Sequence, residues 1–177
     1  MGASTRPRVV SDTFLIIGED DSAESFAQVE YMSRLFAGSL LGIHVPLRGA
    51  IACDRFYADL GERTFFGRAL VEAYRTGESQ DWIGLLLCPS AERRLDGMST
   101  PSSLSRYWRK VVVPSKESSP RLDSMYACLL GSWTHVNGQN PLIDALKTMR
   151  ARCTDERAAM KHERTIAFLE SSTSRNG

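Results

Sequence analysis

The run Trp82–Leu87 (WIGLLL) constrains the fold more than any other segment. It is short, continuous and apolar, the pattern of a buried strand. A buried strand needs paired neighbours and elements that cover its faces. Val9–Ile17 (VVSDTFLII) is apolar on both sides of Ser11-Asp12, which suggests two short strands joined by a tight turn. Asp20-Asp21-Ser22 offers a helix cap with Glu24 in the first turn, and Phe26, Val29, Phe36 and Leu40 recur at helical spacing up to Gly42. A strand is expected from Leu47 to about Tyr57, a turn at Gly61–Arg63, and a glycine-opened helix from Gly67 to about Arg75.

A short helix is expected to start at Ser90 or Ala91 and end near Gly97. The Ser-, Thr- and Pro-rich segment 99–105 reads as a loop or a partly helical connection. Tyr107–Val113 and Met125–Trp133 read as an antiparallel pair around the polar stretch 114–123. Asn140-Pro141 opens a helix through Ala151, since Pro suits a first helical position, and Thr154 is expected to cap a last helix to about Glu170. Residues 1–8 and 171–177 are expected to be flexible. The whole, residues 1–177, reads as one domain. This order of elements favours an α+β sandwich with a mixed or antiparallel sheet over a doubly wound parallel sheet.

Charge narrows the partners. The net charge is +1, from 22 basic and 21 acidic side chains, so there is no general drive toward nucleic acid or anionic lipid. No apolar run approaches the roughly 20 residues of a membrane helix, and the N-terminus lacks the apolar stretch of a secretory signal. Cys53, Cys88, Cys128 and Cys153 form no CxxC pair and have no neighbouring His, which argues against zinc. Three of them lie in apolar runs and read as buried, in a reducing cytoplasmic setting.

Several pieces in order carry a family resemblance: RVVSDTFLII, a long helix, PLRGAIACDRFY, TFFGRALVEAYR and the WIGLLL strand. Together they resemble the catalytic domains of class III nucleotidyl cyclases, in a divergent bacterial branch. The match is clear over about Arg8–Leu87 and weaker beyond. It implies a ferredoxin-like α+β cyclase sandwich, a nucleoside triphosphate substrate, a homodimer, and two Mg or Mn ions held by carboxylates over the triphosphate. An Arg or Lys would answer the charge developing on the phosphates.

By that resemblance Asp12 stands at a metal-ligand position, although Asp is also an ordinary turn residue. The first family aspartate, in an F-x-D-x-x-G-F motif, has no counterpart, because the eleven residues before Asp12 hold no acidic side chain. The resemblance therefore implies a cyclase domain without its N-terminal strand, with an exposed sheet edge that a second copy or another chain would cover. Asp20 and Asp21 read as caps rather than substitute ligands.

Arg75 aligns with the transition-state arginine, or is a solvated helix-end cation. Val71 stands where the family has a ribose-orienting asparagine, and valine cannot donate a hydrogen bond. Gly67 permits close backbone approach to a ligand, or only a turn. Arg8 and Thr64 occupy the base-selecting positions and match neither the adenylate nor the guanylate pair, which keeps pyrimidine cyclases of anti-phage signalling in play. Lys116 falls where the family often places a phosphate-binding lysine.

Other constellations are plainer. His44, His135 and His162 are isolated. The run Arg106, Tyr107, Trp108, Arg109, Lys110 is better explained as a strand with one wet face than as a nucleic-acid contact. ERAAMKHERTIAFLE is amphipathic through Ala159, Ile166, Phe168 and Leu169, and suits packing on its own domain or at a dimer. The functional expectation is a degenerate cyclase-homology protein that binds a nucleoside triphosphate weakly or acts as a dimeric regulatory module. The alternative is an active cyclase forming a 3′,5′-cyclic nucleotide and pyrophosphate.

Overall fold

The computed structural model describes residues 7–10, 13–59, 61–96, 107–117, 122–131 and 140–173. These build a mixed α+β architecture with eight strands and five helices among the described residues. β1 (Pro7–Val10) and β2 (Thr13–Ile16) form the expected antiparallel hairpin, with Val10 opposite Thr13. Residues 7 and 8, expected to be flexible, belong to this hairpin.

α1 (Ala23–Gly42) starts as its sequence suggests: Ser22 is the N-cap, and its Oγ accepts from Ser25 N–H at 3.1 Å. Phe26, Ala37 and Leu41 are its buried apolar side chains. The stretch expected as one strand from Leu47 to Tyr57 is two. β3 (Arg48–Ile51) joins the central sheet, and β4 (Phe56–Asp59) pairs antiparallel with β5 (Thr64–Gly67) in a separate hairpin. Asp54-Arg55 breaks the run, with Asp54 Oδ1 accepting from Arg55 N–H. β5 has no counterpart in the sequence reading, because its Phe65-Phe66 pair merges with the apolar start of the next helix.

α2 (Arg68–Ser79) returns the chain to β6 (Gly84–Leu87), which lies parallel to β3 with Arg48 opposite Gly84. α3 (Pro89–Asp96) follows. β7 (Trp108–Val113) and β8 (Leu122–Cys128) form the expected antiparallel pair, although β8 stops at Cys128 rather than Trp133. β8 also pairs antiparallel with β6, giving the sheet order β3-β6-β8-β7. WIGLLL thus supplies an interior strand, as its continuous apolar character requires.

Alternation along β6 divides the core. Leu85 and Leu87 join Phe26, Leu41, Ile51, Trp108, Leu146 and Met149 in the larger cluster. Leu86 points the other way, to Trp82, Val113, Met125 and Ala127. Phe168 packs against both clusters and meets Trp82 edge-on at 5.0 Å.

α4 (Pro141–Arg152) is capped by Asn140, whose Oδ1 accepts from Leu142 N–H and whose Nδ2 donates to Leu130 O. One side chain therefore starts the helix and ties it to the end of β8. α5 (Glu156–Thr173) is capped by Asp155 rather than Thr154, since Asp155 Oδ1 accepts from Ala158 N–H at 2.7 Å. It continues to Thr173, so residues 171–173 of the supposed frayed tail are helical. Ala159 and Leu169 are buried on it, the amphipathic packing expected. Cys88 and Cys128 are buried, whereas Cys53 and Cys153 are only half-buried, one buried thiol fewer than expected. No helix among the described residues is long and apolar enough to cross a membrane.

Candidate functional site

The hairpin β4–β5 delivers the chain to α2 through Gly67, where φ is 143°. A Cβ at Gly67 would lie 2.3 Å from Arg55 O and 2.8 Å from Phe56 Cα. Only glycine fits this junction, for steric as well as conformational reasons. The requirement comes from β4 of the same hairpin, so it accounts for Gly67 without any ligand.

From this junction α2 runs along an open groove of about 640 Å³, lined by Gly67, Arg68, Val71, Glu72, Arg75 and Thr76, with Pro89 of α3 opposite. Gly67 and Arg75, two of the expected site residues, therefore share one surface. Arg75 is exposed and lies one turn before the end of α2, not at its terminus. Val71 sits between them, about half exposed, and can offer no hydrogen bond where the family places its asparagine.

The charges in the groove are unevenly engaged. Glu72 Oε1 accepts from the backbone N–H of Ser90 at 3.2 Å, which satisfies a first-turn donor of α3. The guanidiniums of Arg68 and Arg75 have no hydrogen-bond or ion-pair partner among the described residues. Neither Arg68 nor Glu72 was singled out from the sequence. Their signal was available in the spacing 68, 72, 75, which places all three on one helix face.

The other expected residues lie elsewhere. Thr64 is exposed at the opposite end of β5 from Gly67, facing Asp59, and its Oγ1 donates to Glu62 O. Lys116 pairs with Glu78 at 3.3 Å, and its backbone N–H donates to Ser79 O. Glu78 also binds Arg48 at 2.8 Å, so Lys116 belongs to a charged cluster at the C-terminal end of α2. Arg8 lies in β1 opposite Leu15. Asp12 lies outside the described residues, as do His135 and Arg106.

No group of three or more His, Cys, Asp or Glu side chains among the described residues could hold a metal ion. Asp20 braces the turn before α1, whose cap is Ser22 rather than either aspartate, and Asp21 faces α3 instead. Asp20 Oδ1 accepts from Ser22 N–H, and the Ser22 hydroxyl first, with that N–H second, holds the Asp20 carboxyl below the usual range; Asp21 pairs with Arg94 at 3.4 Å. The described residues thus do not assemble a two-metal site.

A second polar constellation is buried. Glu30 and Arg34 of α1 pair through two bonds, at 2.5 and 3.2 Å, with 3% and 5% exposure. Trp108 Nε1–H donates to Glu30, and the Arg34 guanidinium lies 3.9 Å from the centre of the Tyr107 ring. This assigns the basic-aromatic run around Trp108. Trp108 faces the core, Tyr107 covers Arg34, and Lys110 pairs with Glu92.

No protein-family model, curated protein or solved structure matches the chain.

Proposed function

We propose that this chain is a degenerate nucleotidyl cyclase-type domain that binds a nucleoside triphosphate along the α2 groove and turns it over weakly or not at all. The observation that carries the reading is the alignment of Gly67, at the N-cap of α2, with Val71 and Arg75 of that helix along one groove. These three follow the spacing on which the resemblance rests. The connection β3, hairpin, α2, β6, with β3 and β6 parallel, is the framework that holds them. Arg75, exposed and without a partner among the described residues, is free to meet phosphate charge. Val71 is the reason for low turnover, because a ribose hydroxyl would find no donor or acceptor there.

In this reading Mg or Mn accompanies the triphosphate, with Asp12 as the protein's ligand. The domain works as a homodimer in the cytoplasm. The surface for the second copy is the stacked pair Tyr57 and Phe66, 4.7 Å apart, together with exposed Val71 and Tyr74 of the helix that follows the hairpin.

The test is incubation of the chain with each of the four ribonucleoside triphosphates and Mg²⁺ or Mn²⁺. Binding and release of pyrophosphate and cyclic monophosphate would both be followed. The expected result is binding of at least one triphosphate, weakened about tenfold or more in Arg75→Ala, with little cyclic product. Rapid cyclic product formation that Asp12→Ala abolishes would make the chain an active cyclase instead. Failure to bind any of the four would overturn the nucleotide reading.

A further inference from the structure

We propose that Arg68 and Arg75 together form a polyphosphate clamp, with Glu72 between them as the group that limits its affinity. The inference rests on the α2 groove being a ligand site, and it adds to Arg75 two residues with no place in the resemblance, Arg68 and Glu72. Arg68 and Arg75 are seven residues apart, two helical turns, which separates their Cα atoms by about 10 Å along the axis at nearly the same azimuth. Two long, rotatable side chains at that spacing can converge on adjacent phosphoryl groups from either end of a triphosphate.

Their availability follows from Glu72. On an isolated helix Glu72 would pair with Arg68 at i−4 or with Arg75 at i+3. Here its carboxylate is held on Ser90 N–H of α3. Both guanidiniums are left unpaired among the described residues, and both line the groove. The start of α2 adds to the attraction for anions. Its N-cap is Gly67, it has no side-chain cap, and no acidic residue lies in its first turn. The Glu72 charge remains between the two arginines and opposes a bound anion, while its bond to Ser90 keeps it from neutralising them.

The ligand chemistry is a chain of linked phosphates, which a nucleoside triphosphate or inorganic tripolyphosphate could supply. The experiment therefore titrates the full chain with inorganic tripolyphosphate, the four ribonucleoside triphosphates and the four monophosphates, by calorimetry. Wild type should bind tripolyphosphate and a nucleoside triphosphate, and the monophosphates at least tenfold more weakly. Arg68→Gln should weaken both polyphosphates at least tenfold, as should Arg75→Gln, and Arg68→Lys should recover part of the loss. Glu72→Gln can still accept from Ser90 and should tighten polyphosphate binding several-fold. A nucleoside triphosphate bound equally well by wild type and Arg68→Gln would overturn the clamp and leave the nucleotide reading standing. Tripolyphosphate binding that needs Arg68, without any nucleoside triphosphate binding, would keep the clamp and overturn the nucleotide reading. Binding of neither would overturn both. Unchanged or weaker binding in Glu72→Gln would overturn the role given to Glu72.

Discussion

Trp108 Nε1–H donates to Glu30 Oε1 at 2.8 Å, so the start of β7 is fixed to the middle of α1 by a carboxylate that also holds Arg34. All three side chains are nearly inaccessible. Burying two charges has a large desolvation cost, which their pairing only roughly offsets. Removing one partner should therefore hurt far more than removing both. Arg34→Met should lower unfolding stability by about 3–5 kcal/mol, whereas Arg34→Met with Glu30→Gln, which removes both charges but keeps an acceptor for Trp108 Nε1–H, should fall much less. Urea unfolding of wild type and the two variants checks this. Equal losses in the single and double variants would mean that Glu30 is satisfied without Arg34.

Two glycines on or beside α2 should respond in opposite directions. Gly67→Ala places a methyl group against Arg55 O and forces φ near 143°, where an L side chain is strained. The strain alone is worth about 1–3 kcal/mol, and the collision adds to it. Gly77 is helical, and a Cβ there meets nothing within 4 Å. Gly77→Ala should stabilise by about 0.5–1 kcal/mol. Thermal unfolding of the pair decides it. A neutral Gly67→Ala would show that the β5–α2 junction can relax.

Much of this fold is legible in the sequence because local signals agree with the tertiary result. Ser22, Asn140 with Pro141, and the WIGLLL run each mark an element that packing then keeps. The errors fall where a local signal is ambiguous. Ala52-Cys53 continues the apolar character of β3, so the redirection into the β4–β5 hairpin is hidden. The break at Asp54-Arg55 is accompanied by a non-local tie that the sequence does not show, the bond from Cys53 N–H to Ser90 Oγ. At the end of α4, Thr154 and Asp155 are both good caps, and the geometry selects Asp155. The candidate site follows the same rule. Gly67 and Arg75 can be aligned from spacing along one helix, but the engagement of Glu72 depends on α3, eighteen residues away. Lys116 reads as a phosphate-binding lysine by the resemblance until the fold sets it beside Glu78.

The thiols should make the protein sensitive to alkali. Burial pushes the Cys88 thiol from 9.0 up to about 12, with Thr76 opposing, and raises buried Cys128 well above its usual value. An unfolded chain ionises these groups near pH 9 and the folded one does not. Their contribution to stability is thus fully present below pH 9 and is lost as pH rises, between about 9 and 12 for Cys88. Stability should fall along this alkaline limb, and Cys88→Ala should make the fall shallower. In a disulfide-exchange assay at pH 8, half-buried Cys153 should react in the native state. Cys88 and Cys128 should react only after denaturation. Fast native labelling of Cys88 would contradict the packing of β6.

The imidazole of His162 is buried on α5, with Nδ1 bonded to the Ala158 carbonyl at 2.8 Å. A carbonyl oxygen only accepts, so Nδ1 donates in that bond, and Nε2 is left without a partner among the described residues. A buried polar nitrogen in this state costs about 1–3 kcal/mol. The Ala158 carbonyl already lies in the hydrogen-bond ladder of α5, so removing the ring does not orphan it. His162→Leu puts an apolar side chain of moderate size on the helix that also buries Ala159, Thr165 and Leu169, and removes the unsatisfied nitrogen. It should raise stability by about 1 kcal/mol. His162→Gln, which restores a polar group at the same site, should not. Urea midpoints measured on wild type and both variants test the difference. A loss of more than about 1 kcal/mol in His162→Leu would mean that Nε2 is hydrogen-bonded in solution after all.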